Sequence, residues 1–297
     1  MHHGTVRWGA IGKSHAIPLD CHWPSLSEGL AQDAVALERA VAAAQVHLAP
    51  TDCVWLKPAD PGSRIFCIGL NYGRHVEESG RKPPEYPSVF LRTQESFADP
   101  FSDIVRPGAS DRYDFEAELA VVIGRAGRRI RLDEAGAHVA GYTCLGEHSV
   151  RDFQKHSTQV TAGKNFDDSG AIGPWIVSAD EVADPNKLEV LGILNGVTVQ
   201  HGCVADLIFP IPVLISYISQ FTALRPGDII ATGTPEGVGV SRSPQLFMQP
   251  GDVFEVLIPG VGHLRNSVVM ELDVETGPAA RGDDHRASAK SGETGDD

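Results

Sequence analysis

In the stretch DRYDFEAELAVVIG, Asp111 to Gly124, carboxylates stand at alternate positions, Asp114, Glu116 and Glu118, and lead straight into the apolar run Leu119 to Ile123. The run reads as a buried strand, and alternate residues of a strand share a face. Acids lined up on a strand entering a core need a cation, a set of donors or solvent, because a buried unpaired carboxylate is unfavourable. Two same-face carboxylates one residue apart sit roughly 7 Å apart at Cα, near enough to converge on a small cation. Other groups could join them. GEHSVRDFQ carries Glu147, Arg151 and Gln154, TAGKNFDD carries Lys164, and the glycine-rich IIATGTPEGVG carries Gly233 and Thr234. LNYGRHVEES carries His75 and Glu78. Their spacing of three makes them neighbours on one helical turn, so that the acid can orient the imidazole as a base. Each motif alone is weak. Together they suggest a hard divalent cation beside an acid-base pair.

The elements that must position these groups are mostly short strands. From Arg64 onward, apolar runs such as RIFCIGL, AELAVVIG, AGYTCL, LEVLGIL, DIIAT and FEVLI alternate with Gly and Pro, which indicates a mainly β body, a sandwich or barrel. Asn195-Gly196 is a type I′ hairpin signal, and the Pro-Gly-Asp turns at Pro226 and Pro250 each launch a strand. Helices are expected at LDEAGAHVA, with Asp133 as N-cap, and at IPVLISYISQFTAL. Ahead of them, LSEGLAQDAVALERAVAAAQVHL places Leu30, Val35, Leu37 and Val41 on one apolar helical face. This gives a small N-terminal domain over residues 1–60, a main domain over 61–276 and a tail over 277–297 whose composition cannot bury enough surface to order itself.

Composition narrows the function. With 297 residues and 42% hydrophobic content, the chain can build a sizeable core. A formal net charge of -14 argues against nucleic acid or anionic membrane as partner, since both require clustered Lys and Arg. No apolar run approaches a membrane span, and the first residues lack a secretory signal, so a cytoplasmic location is the expectation. Five widely spaced cysteines, with no C-x-x-C pair, support neither a disulfide framework nor a zinc site and read as reduced packing residues.

In order along the chain, GLNYGRHVEESG, DFEAELAVVIG, AGYTCLGEHSVRDFQ, GKNFDDSGAIGPWIV, LNGVTVQ and RPGDIIATGTPEGVG resemble the fumarylacetoacetate hydrolase family, over roughly two-thirds of the chain. The resemblance implies a mainly β, α+β fold: a rolled β-sandwich or barrel catalytic domain with a small N-terminal α/β domain, usually as a homodimer. It also implies a Mg²⁺ or Mn²⁺ site with Glu116, Glu118 and Glu147 as ligands, and His75, Glu78 and Lys164 as catalytic residues. Arg151, Gln154, Gly233 and Thr234 would contact the substrate. Two departures stand out. Gly146-Glu147 replaces a more usual Asn-Asp, and Arg92 stands where relatives carry Lys, a change read as tuning recognition of substrate charge. Asp114 falls to a supporting or solvent-facing position, and His148 to a second layer behind the ligands.

The chemistry this implies is metal-dependent hydrolysis of a carbon-carbon bond in a 2,4-diketo acid of the acylpyruvate kind, with His75 activating water and Glu78 holding the ring. Decarboxylation or tautomerisation of oxaloacetate on the same site is the alternative. A non-catalytic binding member of the scaffold is a third reading, from a different class.

Overall fold

A computed structural model describes residues 5–12 and 14–272; the expected tail over 277–297 lies outside the described residues. Two mixed sheets form the body. In the larger, the strands run in the order Ser88–Arg92, Ile65–Gly69, Ile229–Ala231, Ala117–Ile123, Val139–Gly146, Gly170–Ser178, Phe97–Ala98. The smaller runs Val197–Cys203, Glu189–Leu194, Val253–Ile258, Gly262–Met270, Ile104–Arg106. The fold is β-dominant with few helices, a curled half-barrel of the kind the sequence implies.

The central strand Ala117–Ile123 is buried along its whole length, as a continuous apolar run should be when both faces are covered. Its odd members, Leu119, Val121 and Ile123, join the core between the sheets with Val190, Phe254, Val256 and Leu264. Its even members, Ala120 and Val122, join a second cluster with Ile65, Leu145, Ile172 and Ile229, against which Leu30 and Ala59 pack from the N-terminal side. By parity Glu118 belongs to this second face, away from the smaller sheet. The acidic row is not one strand. Tyr113–Asp114 pairs with Ser149–Val150 as a separate short ladder, and Ala117 opens the long one, so Phe115 and Glu116 lie at the break.

The Asn195-Gly196 turn has φ of 51° and 79°, both positive as a type I′ turn requires, and joins Glu189–Leu194 to Val197–Cys203. The helix over Ile211–Phe221 forms, ending before Pro226. LDEAGAHVA instead makes a single 3₁₀ turn, Ala135–His138; Asp133 is drawn into an ion pair with Arg131 and caps nothing, and the chain passes at once into the strand from Val139. The expected N-terminal helix is two helices, Leu26–Leu30 and Ala34–Ala43, because Asp33 accepts from the Ala36 N–H and starts a new one. Its inward residue is Ala40, while Val35 is exposed. Ile17, Leu19 and Ala40 form a small cluster of their own with Trp8 and Trp23. Asp60 ties this segment on by accepting from the Leu26 and Ser27 N–H groups. No helix of the described residues is long and apolar enough to cross a membrane.

Candidate metal centre and active site

Glu116, at the break, and Glu118, in the long strand, meet Glu147, which follows the neighbouring strand Val139–Gly146. One oxygen from each lies within 4.8 Å of the others, and all three residues are buried. The main chain fixes this meeting, since the Glu147 N–H donates to the Glu116 carbonyl at 2.9 Å. The three acids are not equivalently held. Glu116 accepts from Ser149 Oγ at 2.6 Å and faces Arg151 Nη1 at 2.7 Å and Lys164 Nζ at 3.0 Å. Burial would raise its pKa, but Lys164, Arg151 and the Ser149 hydroxyl outweigh it and hold the carboxyl well below the usual range. Glu147 is paired with Lys164 and, at 3.1 Å, with Arg92 Nη1. Glu118 accepts only from the Gly233 N–H, at 2.8 Å, among the described residues. Burial, then the charges of Glu147 and Glu116, push its carboxyl well above the usual range. Burial also raises Glu147 despite Lys164.

Four buried carboxylates, Asp114, Glu116, Glu118 and Glu147, thus share three buried cations, Arg92, Arg151 and Lys164. The deficit falls on Glu118. Three all-oxygen donors with unneutralised negative charge fit a hard divalent cation such as Mg²⁺ or Mn²⁺. Beside them Arg151 Nη2 is buried without a hydrogen-bond partner, so a strong donor remains for an anionic ligand. Gln154, half-buried, accepts from Arg151 Nη1 at 3.1 Å and keeps its amide N–H groups.

The acid-base pair forms on the short helix Gly73–Glu78: His75 Nδ1 lies 2.8 Å from Glu78 Oε1, and the other Glu78 oxygen accepts from the Gly237 N–H at 2.9 Å. His75 lies near enough to act electrostatically on the Glu116 carboxyl. The side chains of His75 and Glu78 are 12% and 20% exposed, so water reaches them, in contrast to the carboxylate cluster.

Several placements differ from expectation. The Gly233 N–H is committed to Glu118. The Thr234 hydroxyl donates to Ala117 O and accepts from Gln200 Nε2, which ties the turn to the central strand and leaves no proton for a substrate. Arg92 is not a recognition residue for substrate charge: all five of its N–H donors are used, on Ser96, Glu147, His148 O and Ser169. Of the two positions expected for Asp114 it takes the supporting one and not the solvent-facing one: it accepts from Phe115 N, Gly239 N, Val240 N and Arg151 Nε. His148 is buried between Tyr113 and Phe254, its pKa lowered to about 3 by burial and then by Arg92, and its neutral Nδ1 accepts from the Glu116 N–H. The unusual Gly146 follows from this ring, since a Cβ there would lie 2.7 Å from His148 Nε2. Buried Cys67 and Cys144 have thiols pushed upward by burial, Cys144 to about 12, and act as packing.

One loop gathers these anchors. Gly233, Gly237, Gly239 and Val240 present four main-chain N–H groups to Glu118, Glu78 and Asp114. Ser149, Gln200 and the loop amides went unnoticed in the sequence; only Ser149, two residues after Glu147, carried a local cue.

The family model for the fumarylacetoacetate (FAA) hydrolase C-terminal region matches residues 64–269. The chain belongs to the fumarylacetoacetate hydrolase family. It is 39% identical to human mitochondrial oxaloacetate tautomerase FAHD2A over 246 residues, 82% of this chain and 78% of that protein. Among solved structures, fumarylacetoacetate hydrolase from psychrophilic Exiguobacterium antarcticum superposes with a TM-score of 0.77 at 30% identity, covering 91% of this chain and 97% of the other. Maleylpyruvate hydrolase from Sphingobium sp. SYK-6, solved with manganese(II) and pyruvate, gives 0.74 at 27% identity, covering 90% and 97%. The family thus contains hydrolases and isomerases, at least one of which holds Mn²⁺.

For this family member the raised carboxyls would make the binding of a cation proton-coupled. Glu118 and Glu147 hold protons to higher pH than free carboxylates and would have to release them to bind a cation, so affinity should fall as pH falls. Calorimetric titration with Mn²⁺ is expected to show proton release and up to about tenfold weaker binding per pH unit per proton on acidification. A pH-independent affinity from about pH 8 to about pH 5 would contradict the assignment of these ligands.

Proposed function

We propose that the protein is a metal-dependent enzyme that hydrolyses a carbon-carbon bond in a 2,4-diketo acid of the acylpyruvate kind. The observation that carries this reading is the His75–Glu78 pair, in contact, water-accessible and beside a buried three-carboxylate cluster. Mg²⁺ or Mn²⁺ held by Glu116, Glu118 and Glu147 would supply a Lewis acid for the oxygens of a 2-oxo acid and for the negative charge that develops on them. The residues divide the remaining work. Arg151, with its open Nη2, takes the substrate carboxylate, and Gln154 flanks it. Lys164 stays an ammonium, because Glu116 and Glu147 raise its pKa more than burial lowers it, and it counters charge on the reacting oxygens. Glu78 holds a proton on His75 Nδ1, leaving Nε2 to take one from water. Water adds to the distal carbonyl, the bond to the methylene carbon breaks, that carbon takes up the proton removed from water, and a carboxylic acid leaves with pyruvate.

Kinship at 39% identity to an oxaloacetate tautomerase favours a second reading. In it the same base carries a proton between the carbon that lies between the carbonyls and the keto oxygen, so that a C–H bond is exchanged for an O–H bond, and no water is consumed. Acetylpyruvate, fumarylpyruvate and oxaloacetate, each with and without Mg²⁺ or Mn²⁺, separate the two. Metal-dependent release of pyruvate from an acylpyruvate is expected, and His75→Ala should lower it by about 10²- to 10⁴-fold. Tautomerisation of oxaloacetate with no acylpyruvate cleavage would replace the first reading by the second. The family resemblance also supports a homodimer. The cytoplasm stays the expected compartment, although the human relative's name places that protein in mitochondria.

A further inference from the structure

Gly237 holds the acid-base pair to the rest of the molecule. Its N–H donates to Glu78 Oε2, and its carbonyl accepts from Arg242 Nε at 2.9 Å. Arg242 Nη2 reaches across to Val199 O at 2.5 Å, on the strand Val197–Cys203, and its guanidinium lies 5.9 Å from the centre of the Phe115 ring. Gly237 has φ of +98°, and a Cβ there would lie 2.3 Å from Val199 O, so the turn crosses the strand too closely for any side chain. Both acceptors of the half-buried Arg242 are main-chain carbonyls, one on the turn and one on the strand.

We infer that Arg242 is a positioning residue for the His75–Glu78 pair. By fixing the Gly237 turn, it keeps one Glu78 oxygen on the Gly237 N–H and so leaves the other for His75 Nδ1. The loop's other anchors are independent of it. Gln200 holds Thr234 Oγ1 and Pro235 O, Asp114 holds Gly239 and Val240, and Glu118 holds Gly233. The Arg74–Glu236 ion pair also spans helix and loop, but Arg74 is 82% exposed and the pair is a weak tether. Loss of Arg242 therefore loosens the segment around Gly237 and leaves the carboxylate cluster in place. A planar fork spans two carbonyls where an ammonium reaches one, so lysine restores only part of the bridge. The inference rests on the proposed role of His75 as base.

Its test needs no substrate. In the Mg²⁺-loaded full chain with ¹⁵N-labelled histidine, the ring nitrogen shifts of His75, assigned with H75Q, report which nitrogen carries the proton. The parent should show the Nδ1-protonated ring; R242Q should shift it toward a mixture, and R242K less so. E78Q should produce the same mixture, and R242Q added to E78Q should change nothing more. On the metal-dependent substrate, R242Q should lower kcat by about 10- to 100-fold at little-changed KM and unchanged Mn²⁺ affinity, again with no further loss in the E78Q background. Unmoved His75 shifts in R242Q, or losses from R242Q and E78Q that multiply, would overturn the inference. Should R242Q not fold, R242K carries the same comparison. A parent that turns over none of the acids, or an E78Q variant with full turnover, instead refutes the functional reading, and the histidine shifts still decide where Arg242 acts.

Discussion

Glu118→Gln is expected to abolish metal binding and metal-dependent turnover while leaving the metal-free protein at least as stable as its parent. Glutamine keeps the shape and one carbonyl oxygen for the Gly233 N–H, the sole hydrogen bond to this side chain among the described residues. What it removes is a buried charge with no cation in contact. Because folding raises the Glu118 pKa, the unfolded carboxyl ionises first as pH rises, and stability is lost between the unfolded pKa and the folded one. The variant lacks that loss, so its advantage in thermal melts without metal should be absent at low pH and appear as pH rises. Added Mn²⁺ should stabilise the parent and not the variant. Turnover should fall by at least about a hundredfold, since even groups behind metal ligands are worth 10- to 100-fold. Glu116→Gln makes the contrast: it withdraws a charge from Arg151 and Lys164 and should destabilise the protein by about 3–5 kcal/mol. A Glu118→Gln protein that still binds Mn²⁺ with parental affinity would remove Glu118 from the ligand set.

Asp114→Asn should be nearly as damaging as a ligand loss, though Asp114 touches no proposed ligand position. Its Oδ1 accepts from Phe115 N and Gly239 N, and its Oδ2 from Val240 N and Arg151 Nε. An asparagine has one accepting atom, and either orientation of its amide sets an NH₂ group against two donors. The expected destabilisation is about 2–5 kcal/mol by urea titration, with a loosened loop and a displaced Arg151 that weakens turnover too. A residue facing solvent would change stability by no more than about 0.5 kcal/mol on the same replacement, and such a result would refute the anchoring role.

The contrast between Asp114 and its neighbours shows how far the sequence could be read. Alternation and the apolar run announced the central strand, and spacing alone put His75 beside Glu78. The same alternation could not decide between a supporting and a solvent-facing Asp114, because the ladder breaks at Phe115-Glu116 and parity does not carry across a break. Helix periodicity misled before Asp33 for a related reason: a local cap competed with the pattern and restarted the chain. Arg92 was beyond reach by any local rule. Its partners lie as far as 77 positions away and include two carbonyls and two hydroxyls, none of which leaves a trace in spacing. The loop amides were equally hidden, since every residue but proline has an N–H and only the fold decides which of them meet a carboxylate.

Those amides also bear on how the protein can change over generations. A contact made by a side chain is lost when the codon changes, whereas one made by the backbone survives any replacement the conformation tolerates. Glu236 and Val240, both half-buried on the loop, can therefore drift or be randomised with their main-chain course kept, while Glu78, Asp114 and Glu118 stay held. The loop is a variable covering on an invariant frame, whose outward residues can be exchanged without rebuilding the carboxylate cluster it holds.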